Sequence, residues 1–262
     1  MEGLRGMIEE YRRPATLEEA MGFLTGTGIR YVPIGGGSAI ERFSSDPIGI
    51  VDLQDLGLNS IQERGNTLEV GATATLQALL DHTRIQPDLR QAIRSEAAYN
   101  LRQVGSIAGA LVSADGRSPF TTALLALDAS LVLFPGDEQI ALGELLALRE
   151  GRLTGRLIAR ITLPLNVRLA YASVARTPAD RPIVCAAVAI WPAGRTRAAL
   201  GGWGAAPRLA MDGPEAGGLE TAARNAYSHA GDEWGSAEYR QEMAGILVNR
   251  CWELINQGQL QT

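Results

Sequence analysis

The sequence predicts an α+β fold with a mixed α/β N-terminal part and a C-terminal part that contains a three-stranded antiparallel sheet and helices. Through the first 165 residues, short apolar runs typical of strands alternate with amphipathic helical segments. After Pro164, closely spaced apolar runs joined by tight turns come first and helical segments follow. This change of pattern places a boundary near residue 165.

The first elements are marked by capping residues and by glycine. Thr16 precedes "LEEAMGFLT" and Glu19 follows three residues later, the spacing of a capping box, while Gly26 or Gly28 ends the helix. "RYVPI" then predicts a short strand that runs into three glycines. "PIGIVDLQDLGL" and "TLEVGATATLQALL" predict a strand, a turn, a strand and a helix whose N-cap is Thr73 or Thr75.

The remaining elements follow from the same rules. "DLRQAIRSEAAYN" and "PFTTALLALDA" predict helices, "SLVLFPGDEQIALGELL" a strand, a Pro-Gly turn and a helix, and "GRLIARITLPL" a strand. Beyond Pro164, "PAGR" is the clearest hairpin signal among three predicted strands. Ser236 caps the last helix, in which the 3–4 spacing places one set of side chains on a single face: Tyr239, Met243, Ile246, Leu247, Arg250 and Leu254.

Composition excludes several classes of function. The net charge of −5 argues against a nucleic-acid surface, which normally carries a basic excess. With 2 cysteines and 2 histidines, the chain can hardly hold an iron–sulfur cluster, which usually takes four thiolates, or a structural zinc, which would need all four of these side chains. Cys185 and Cys251 lie in apolar segments, which favours buried reduced thiols over a disulfide. The sequence shows neither a membrane-spanning run nor an apolar signal core, so a cytoplasmic location is expected.

Two segments rich in small residues are candidates for binding one ligand: Gly35–Ile40 and Gly105–Ala110. Bare backbone amides beside glycine suit a phosphate group, because no side chain blocks its approach. Neither segment is a dinucleotide fingerprint, and no Gly-Lys-Ser/Thr of a P-loop is present. Spacing alone therefore leaves plain turns and phosphate-binding loops both open.

Taken in order, the segments closely resemble the flavoprotein subunit of the molybdenum hydroxylases. That family includes the medium subunit of aerobic carbon monoxide dehydrogenase and the FAD domain of xanthine dehydrogenase. The resemblance runs from "YRRPATLEEAM" through "ALGGWGAAPRLA" to "SAEYRQEMAGILVNR". It implies an FAD-binding domain over residues 1–165, made of two small α/β subdomains at about 1–50 and 51–165, and a C-terminal domain over residues 166–262.

The resemblance also implies which residues hold FAD, namely through backbone amides that cradle its pyrophosphate. A branched side chain at Gly36 or Gly109 is expected to occupy the phosphate space. No side chain is expected to be catalytic and no metal is expected on this chain, because the cofactor carries the redox chemistry. The implied cofactor-binding residues are Gly35, Gly36, Gly37, Ser38, Ala39, Ile40, Gly105, Ser106, Ile107, Gly109, Ala110 and Asp115.

The leading hypothesis is an FAD-dependent oxidoreductase subunit that transfers electrons. By resemblance, it receives them from [2Fe–2S] clusters on a small subunit, which a molybdopterin-binding large subunit reduces, and passes them to an external acceptor. The expected assembly is a heterotrimer or its dimer. Departures from the family pattern support an alternative, a flavin-free structural or assembly subunit of the same fold. These departures are Ala108, Ala110, Pro119 and Ser173.

Overall fold

The computed structural model describes residues 8–38 and 47–257, and three sheets organise them. The first sheet is parallel, with strand order β1-β3-β2. Helix α1 packs on it and is capped as predicted, because Thr16 Oγ1 accepts a hydrogen bond from the Glu19 amide at 3.1 Å. The bounds are β1 Ile8–Arg12, α1 Leu17–Thr25, β2 Arg30–Ile34 and β3 Ile48–Asp52.

The second sheet is antiparallel, with strand order β4-β5-β8-β6-β7. Seven helices belong to the same stretch of chain, and α6 is buried along its whole length. The strands are β4 Ile61–Arg64, β5 Thr67–Gly71, β6 Ser130–Phe134, β7 Glu138–Ala141 and β8 Leu157–Pro164. The helices are α2 Leu76–Asp81, α3 Pro87–Glu96, α4 Tyr99–Val104, α5 Ile107–Ser113, α6 Pro119–Ala126, α7 Leu142–Ala147 and α8 Arg149–Leu153.

The third sheet is antiparallel, with strand order β12-β11-β10-β9, and α6 and α10 pack on it. Strand β10 is wholly buried, so its alternate side chains enter two different cores, one shared with the second sheet and one shared with α9 and α10. The bounds are β9 Arg168–Val174, β10 Val184–Ile190, β11 Thr196–Gly201, β12 Arg208–Gly213, α9 Leu219–Ala226 and α10 Ala237–Gln257.

The α+β fold is confirmed, with two corrections to its elements. The C-terminal sheet has four strands instead of the predicted three, because β12 is a mostly exposed edge strand without the alternating pattern that marks a buried one. The chain after the Pro135-Gly136 turn forms β7 before α7 begins. The predicted subdomain boundary at about residue 50 falls inside β3, which pairs with both other strands of the first sheet.

Helix α10 buries a different face from the one the spacing suggests. Ser236 caps it as predicted, with Oγ accepting from the Tyr239 amide at 3.2 Å. Of the predicted face, however, Tyr239, Ile246 and Leu254 are exposed. Leu247 of the predicted stripe is buried, so the buried face overlaps the predicted one only in part. The buried residues of α10 are Arg240, Ala244, Gly245, Leu247, Val248, Cys251 and Ile255.

The two cysteines are free and buried, which confirms the prediction of reduced thiols. Burial raises the pKa of the Cys185 thiol to about 12, and that of Cys251 in the same direction, so neither thiol is reactive at neutral pH. Across residues 8–38 and 47–257, none of the helices has the length and hydrophobicity of a membrane span.

Candidate functional site

A cavity of about 530 Å³ lies where the first sheet meets α5, α8 and β8. Strand β2 forms one wall along its whole length, and the loop Gly35–Ser38 closes the end of that wall. Thr73 and Ser106 also line the cavity, next to Gly35. Most of the remaining lining is aliphatic, and the volume is in the range of small-molecule sites.

Both segments predicted to bind a ligand reach this cavity. The predicted residues that line it are Gly35, Gly36, Gly37, Ser38, Ser106 and Gly109, and Ala108 lies beside them. Ala39 and Ile40 lie outside the described residues. The predicted residues that do not line the cavity are Gly105, Ile107, Ala110 and Asp115.

The first loop, Gly35–Ser38, is glycine-rich because it packs closely against Val104 and against Ser106 in the second segment, Gly105–Ala110. A Cβ atom at Gly36 would overlap the carbonyl oxygen of Val104, and one at Gly35 would lie 2.5 Å from Ser106 Oγ. Gly37 has a φ of +70°, a conformation that glycine adopts without strain. The expectation that a side chain at Gly36 fills phosphate space is thus corrected, since the space it would fill belongs to the backbone at Val104.

The backbone amides of the first loop are free to bind a ligand. Those of Gly36, Gly37 and Ser38 donate no hydrogen bond to any residue within 8–38 or 47–257. Gly35 takes part through its carbonyl oxygen, which accepts from Gln54 Nε2 at 3.3 Å. Gly36 and Gly37 are half-buried and Ser38 is exposed. Consecutive backbone donors that face a cavity without an acceptor among the described residues suit an anionic ligand.

Three amides of the second segment, those of Ile107, Ala108 and Gly109, are in contrast already paired. Ile107 N donates to Ala74 O at 2.9 Å and Ala108 N donates to Ala72 O at 3.0 Å. Gly109 N donates to Ser106 Oγ at 3.1 Å, which makes Ser106 the N-cap of α5. The second segment therefore supports the cavity wall with these three donors occupied.

Thr73 is a cavity residue that the sequence did not single out as a ligand. The two candidate caps of α2 are resolved in favour of Thr75, whose Oγ1 accepts from Ala78 N at 3.0 Å. Thr73 is left in the wall with an exposed fraction of 8% and with its Oγ1 unpaired. A threonine between two buried alanines in an otherwise apolar stretch was the available signal.

The charges that line the cavity are positive. Arg30 begins β2 and forms no ion pair with any described residue, and Arg156 is held by Glu138, which also binds Arg152 at 2.9 Å. None of the described lining residues is an aspartate or a glutamate. Because β2 rises about 3.3 Å per residue, Arg30 lies roughly 16 Å from the first glycine along the wall. The lining favours an elongated anionic ligand.

Asp115 has partners within the fold, and the departures from the family pattern lie in regular elements. Asp115 Oδ2 pairs with Arg181 Nη1 at 2.6 Å, and Asp115 Oδ1 accepts from the Arg117 amide at 2.9 Å. Ala108 lies in α5 and is not among the residues with positive φ, so alanine causes no strain there. Pro119 begins α6. Ser173 lies in β9, opposite Cys185.

The arrangement suits binding better than acid–base chemistry. The described lining contains no cysteine, histidine or carboxylate that would serve as a nucleophile or a general base. It offers free amides, hydroxyl groups, two guanidinium groups and an aliphatic wall. These groups fit the diphosphate and the adjoining nucleoside of a dinucleotide such as FAD.

Comparison with known proteins gives one family. Residues 6–166 match the family described as the FAD binding domain in molybdopterin dehydrogenase. The uncharacterized protein YgfM of Escherichia coli (strain K12) is 30% identical over 248 residues, which are 92% of this chain and 94% of YgfM. The carbon monoxide dehydrogenase medium chain of Afipia carboxidovorans is 26% identical over 275 residues, covering 93% of this chain and 95% of that protein.

A solved structure shows the same fold. The reconstituted CO dehydrogenase from Oligotropha carboxidovorans contains a chain that superposes with a TM-score of 0.80 at 24% sequence identity. The match covers 95% of this chain and 98% of that chain. The likeness therefore extends over both sides of the predicted boundary near residue 165.

Proposed function

Since the chain belongs to the family of FAD-binding domains in molybdopterin dehydrogenases, we propose that it is the FAD-binding, electron-transferring subunit of a molybdenum hydroxylase-type dehydrogenase. The observation that carries the proposal is the row of amides at Gly36, Gly37 and Ser38, which have no acceptor among the described residues and lie beside an elongated, positively lined cavity. When bound, FAD supplies the electron chemistry that the side chains of this chain lack.

In this proposal, the chain's own residues bind and orient the cofactor. The first loop donates to the diphosphate, with the hydroxyl groups of Ser38 and Ser106 beside it. The aliphatic wall along β2 excludes water from the nucleoside arm. Gly105, Ile107, Ala110 and Asp115, which do not line the cavity, stay predicted site residues, and so do Ala39 and Ile40. The retained glycines and the cavity favour bound FAD over the flavin-free alternative.

Partner subunits complete the proposed enzyme. The similar protein of Afipia carboxidovorans is named a medium chain, which supports a multi-subunit assembly. With 2 cysteines, this chain has too few thiolates for the [2Fe–2S] clusters that would deliver electrons to FAD. We therefore place those clusters on a small subunit and the molybdopterin and substrate site on a large subunit, in a cytoplasmic heterotrimer or its dimer.

FAD titration of the purified chain tests the cofactor assignment. We expect quenching of flavin fluorescence, a rise in the melting temperature and an absorbance spectrum typical of bound flavin. FMN, which lacks the adenosine arm that β2 would hold, serves as the control ligand and is expected to bind more weakly. If FAD at tens of micromolar, a concentration typical of weak sites on the affinity scale, causes neither quenching nor a melting shift, the flavin-free alternative replaces this proposal.

Purification from the native host tests the assembly. A tag on this chain is expected to recover two further subunits together with molybdenum and iron. The same tag on a chain carrying Gly36→Ala reports whether assembly needs the cofactor loop. Recovery of the chain alone, free of both metals, contradicts the proposed assembly while leaving the FAD assignment to its own test.

A further inference from the structure

The hydroxyl group of Thr73 is a buried, unpaired polar group in the cavity wall, and the proposed mode of FAD binding gives it no role so far. Its Oγ1 is shielded from solvent and has no hydrogen-bond partner within the described residues. A buried hydroxyl without a partner destabilises a folded protein, so native structures pair almost all of them. Thr73 lies in the cavity wall, which suggests that its partner belongs to the ligand.

The position of Thr73 is fixed by its backbone. The Thr73 amide donates to Leu58 O at 2.9 Å, and the Ala72 amide donates to Ala159 O at 3.0 Å. A Cβ atom at Gly35 would lie 2.5 Å from Ser106 Oγ and 3.8 Å from Thr73 Cγ2, so Thr73 and Ser106 flank the start of the glycine loop. Rotation about the Cα–Cβ bond by one staggered step brings the hydroxyl group of Thr73 to the position that its methyl group occupies beside Gly35.

We infer that Thr73 is a ligand-binding residue whose hydroxyl group donates a hydrogen bond to the diphosphate of the bound dinucleotide. The inference rests on the proposed function, because it needs an anionic ligand in this cavity. The hydroxyl group stays unpaired in the free protein and gains its acceptor only on binding. The unpaired hydroxyl group therefore slightly destabilises the free protein, and its pairing on binding increases the affinity for the dinucleotide.

Two substitutions separate this role from a structural one. Thr73→Val keeps the shape and removes the hydroxyl group, whereas Thr73→Ser keeps the hydroxyl group. We expect T73V to weaken both FAD and ADP by about tenfold, the worth of one hydrogen bond. We also expect it to leave the melting temperature of the free protein unchanged or to raise it, because an unpaired buried hydroxyl group disappears. T73S is expected to bind both ligands within about twofold of the wild type, since its hydroxyl group remains.

The outcomes are distinct from those that test FAD binding itself. Wild-type protein that binds neither FAD nor ADP removes the proposed function. Wild-type binding with equal affinity of T73V overturns only the Thr73 inference, and so does a loss for FAD without a loss for ADP, since both ligands carry the diphosphate. Thr67→Val is the matched control: Thr67 Oγ1 already donates to Arg64 O at 2.8 Å and does not line the cavity, so its loss should spare ligand affinity. If T73V does not fold, Thr73→Ala replaces it with the same expected loss.

Discussion

The loop Gly35–Ser38 and the segment Ser106–Gly109 line the same cavity, but their backbone amides differ in whether they are hydrogen-bonded within the fold. The amides of Gly36, Gly37 and Ser38 have no acceptor among the described residues. In the second segment, the amides of Ile107, Ala108 and Gly109 donate to Ala74, Ala72 and Ser106. Both segments are rich in small residues, so composition alone makes them look equivalent. The comparison teaches that a glycine indicates close packing of backbone against its neighbours. A site for an anionic ligand needs, in addition, backbone amides without an acceptor in the protein.

The largest expected effect comes from Gly36→Ala, which tests whether the first loop can sit where it does. Its Cβ atom would overlap the Val104 carbonyl oxygen, so the loop must move away from the second segment. We expect the free energy of unfolding to fall by about 1–3 kcal/mol and the FAD affinity to fall by roughly 100-fold. Urea unfolding and fluorescence titration measure the two effects.

Gly22→Ala is the matched control for that substitution. Gly22 lies within α1, and a Cβ atom there meets nothing within 4 Å. Alanine in a helix interior stabilises by about 1 kcal/mol relative to glycine, so this variant should be slightly more stable and should bind FAD as the wild type does. Wild-type affinity in Gly36→Ala would show that the loop does not depend on its contact with Val104.

Ser106→Ala sharpens the comparison from the side of the second segment. The substitution removes the N-cap of α5 and leaves the Gly109 amide without its acceptor. We expect a loss of about 1 kcal/mol in the free energy of unfolding, the usual cost of losing a cap. Ser106→Asp, which restores a capping oxygen, should recover that stability in urea unfolding. Unchanged stability in Ser106→Ala would contradict the view that this serine is occupied within the fold.

A smaller effect is expected at the N-terminus of α6, where polar groups are again satisfied internally. Glu96 Oε2 accepts from Ser118 Oγ at 2.7 Å and from the Phe120 amide at 3.0 Å, and burial raises the pKa of Glu96 above its ordinary value. The folded state therefore holds this proton to a higher pH than the unfolded state does. The resulting stabilisation is complete below the unfolded pKa of about 4.3 and is lost as the pH rises through the folded pKa.

Glu96→Gln removes that titration while keeping an oxygen acceptor at the same place. We expect the free energy of unfolding of the variant to change less with pH, from about pH 4.3 upward, than that of the wild type. Urea unfolding at a series of pH values measures the slope. Identical slopes in both proteins would show that Glu96 titrates at its ordinary pKa despite its burial.

Much of the fold was predictable because local signals agreed with the tertiary structure. Thr16 and Ser236 cap the helices that they were expected to cap, and Gly194 makes the hairpin turn of "PAGR" with a φ of +93°. The edge strand β12 was missed because a half-exposed strand carries no clear alternation. The face of α10 was predicted only in part, because Leu247 is buried but Tyr239, Ile246 and Leu254 are exposed.

The sequence was enough to single out two segments that line one cavity, but not to tell which of their backbone amides are paired. The two segments could be found from their glycines and from their order in the chain. Which amides stay free depends on acceptors that are distant in sequence, such as Ala72 and Ala74 for the second segment. Thr73 could not be told from Thr75 by pattern, because either residue could cap α2, and only the folded structure shows which hydroxyl group is left unpaired.

Hydrogen exchange of individual amides, followed by NMR on the free protein and on protein saturated with FAD, tests the central claim most directly. We predict that the amides of Gly36, Gly37 and Ser38 exchange rapidly in the free protein and slow markedly with FAD. The amides of Ile107 and Ala108 should be protected in both states, because they donate within the fold. First-loop amides that are already protected without FAD, or FAD-dependent protection confined to the second segment, would contradict this account.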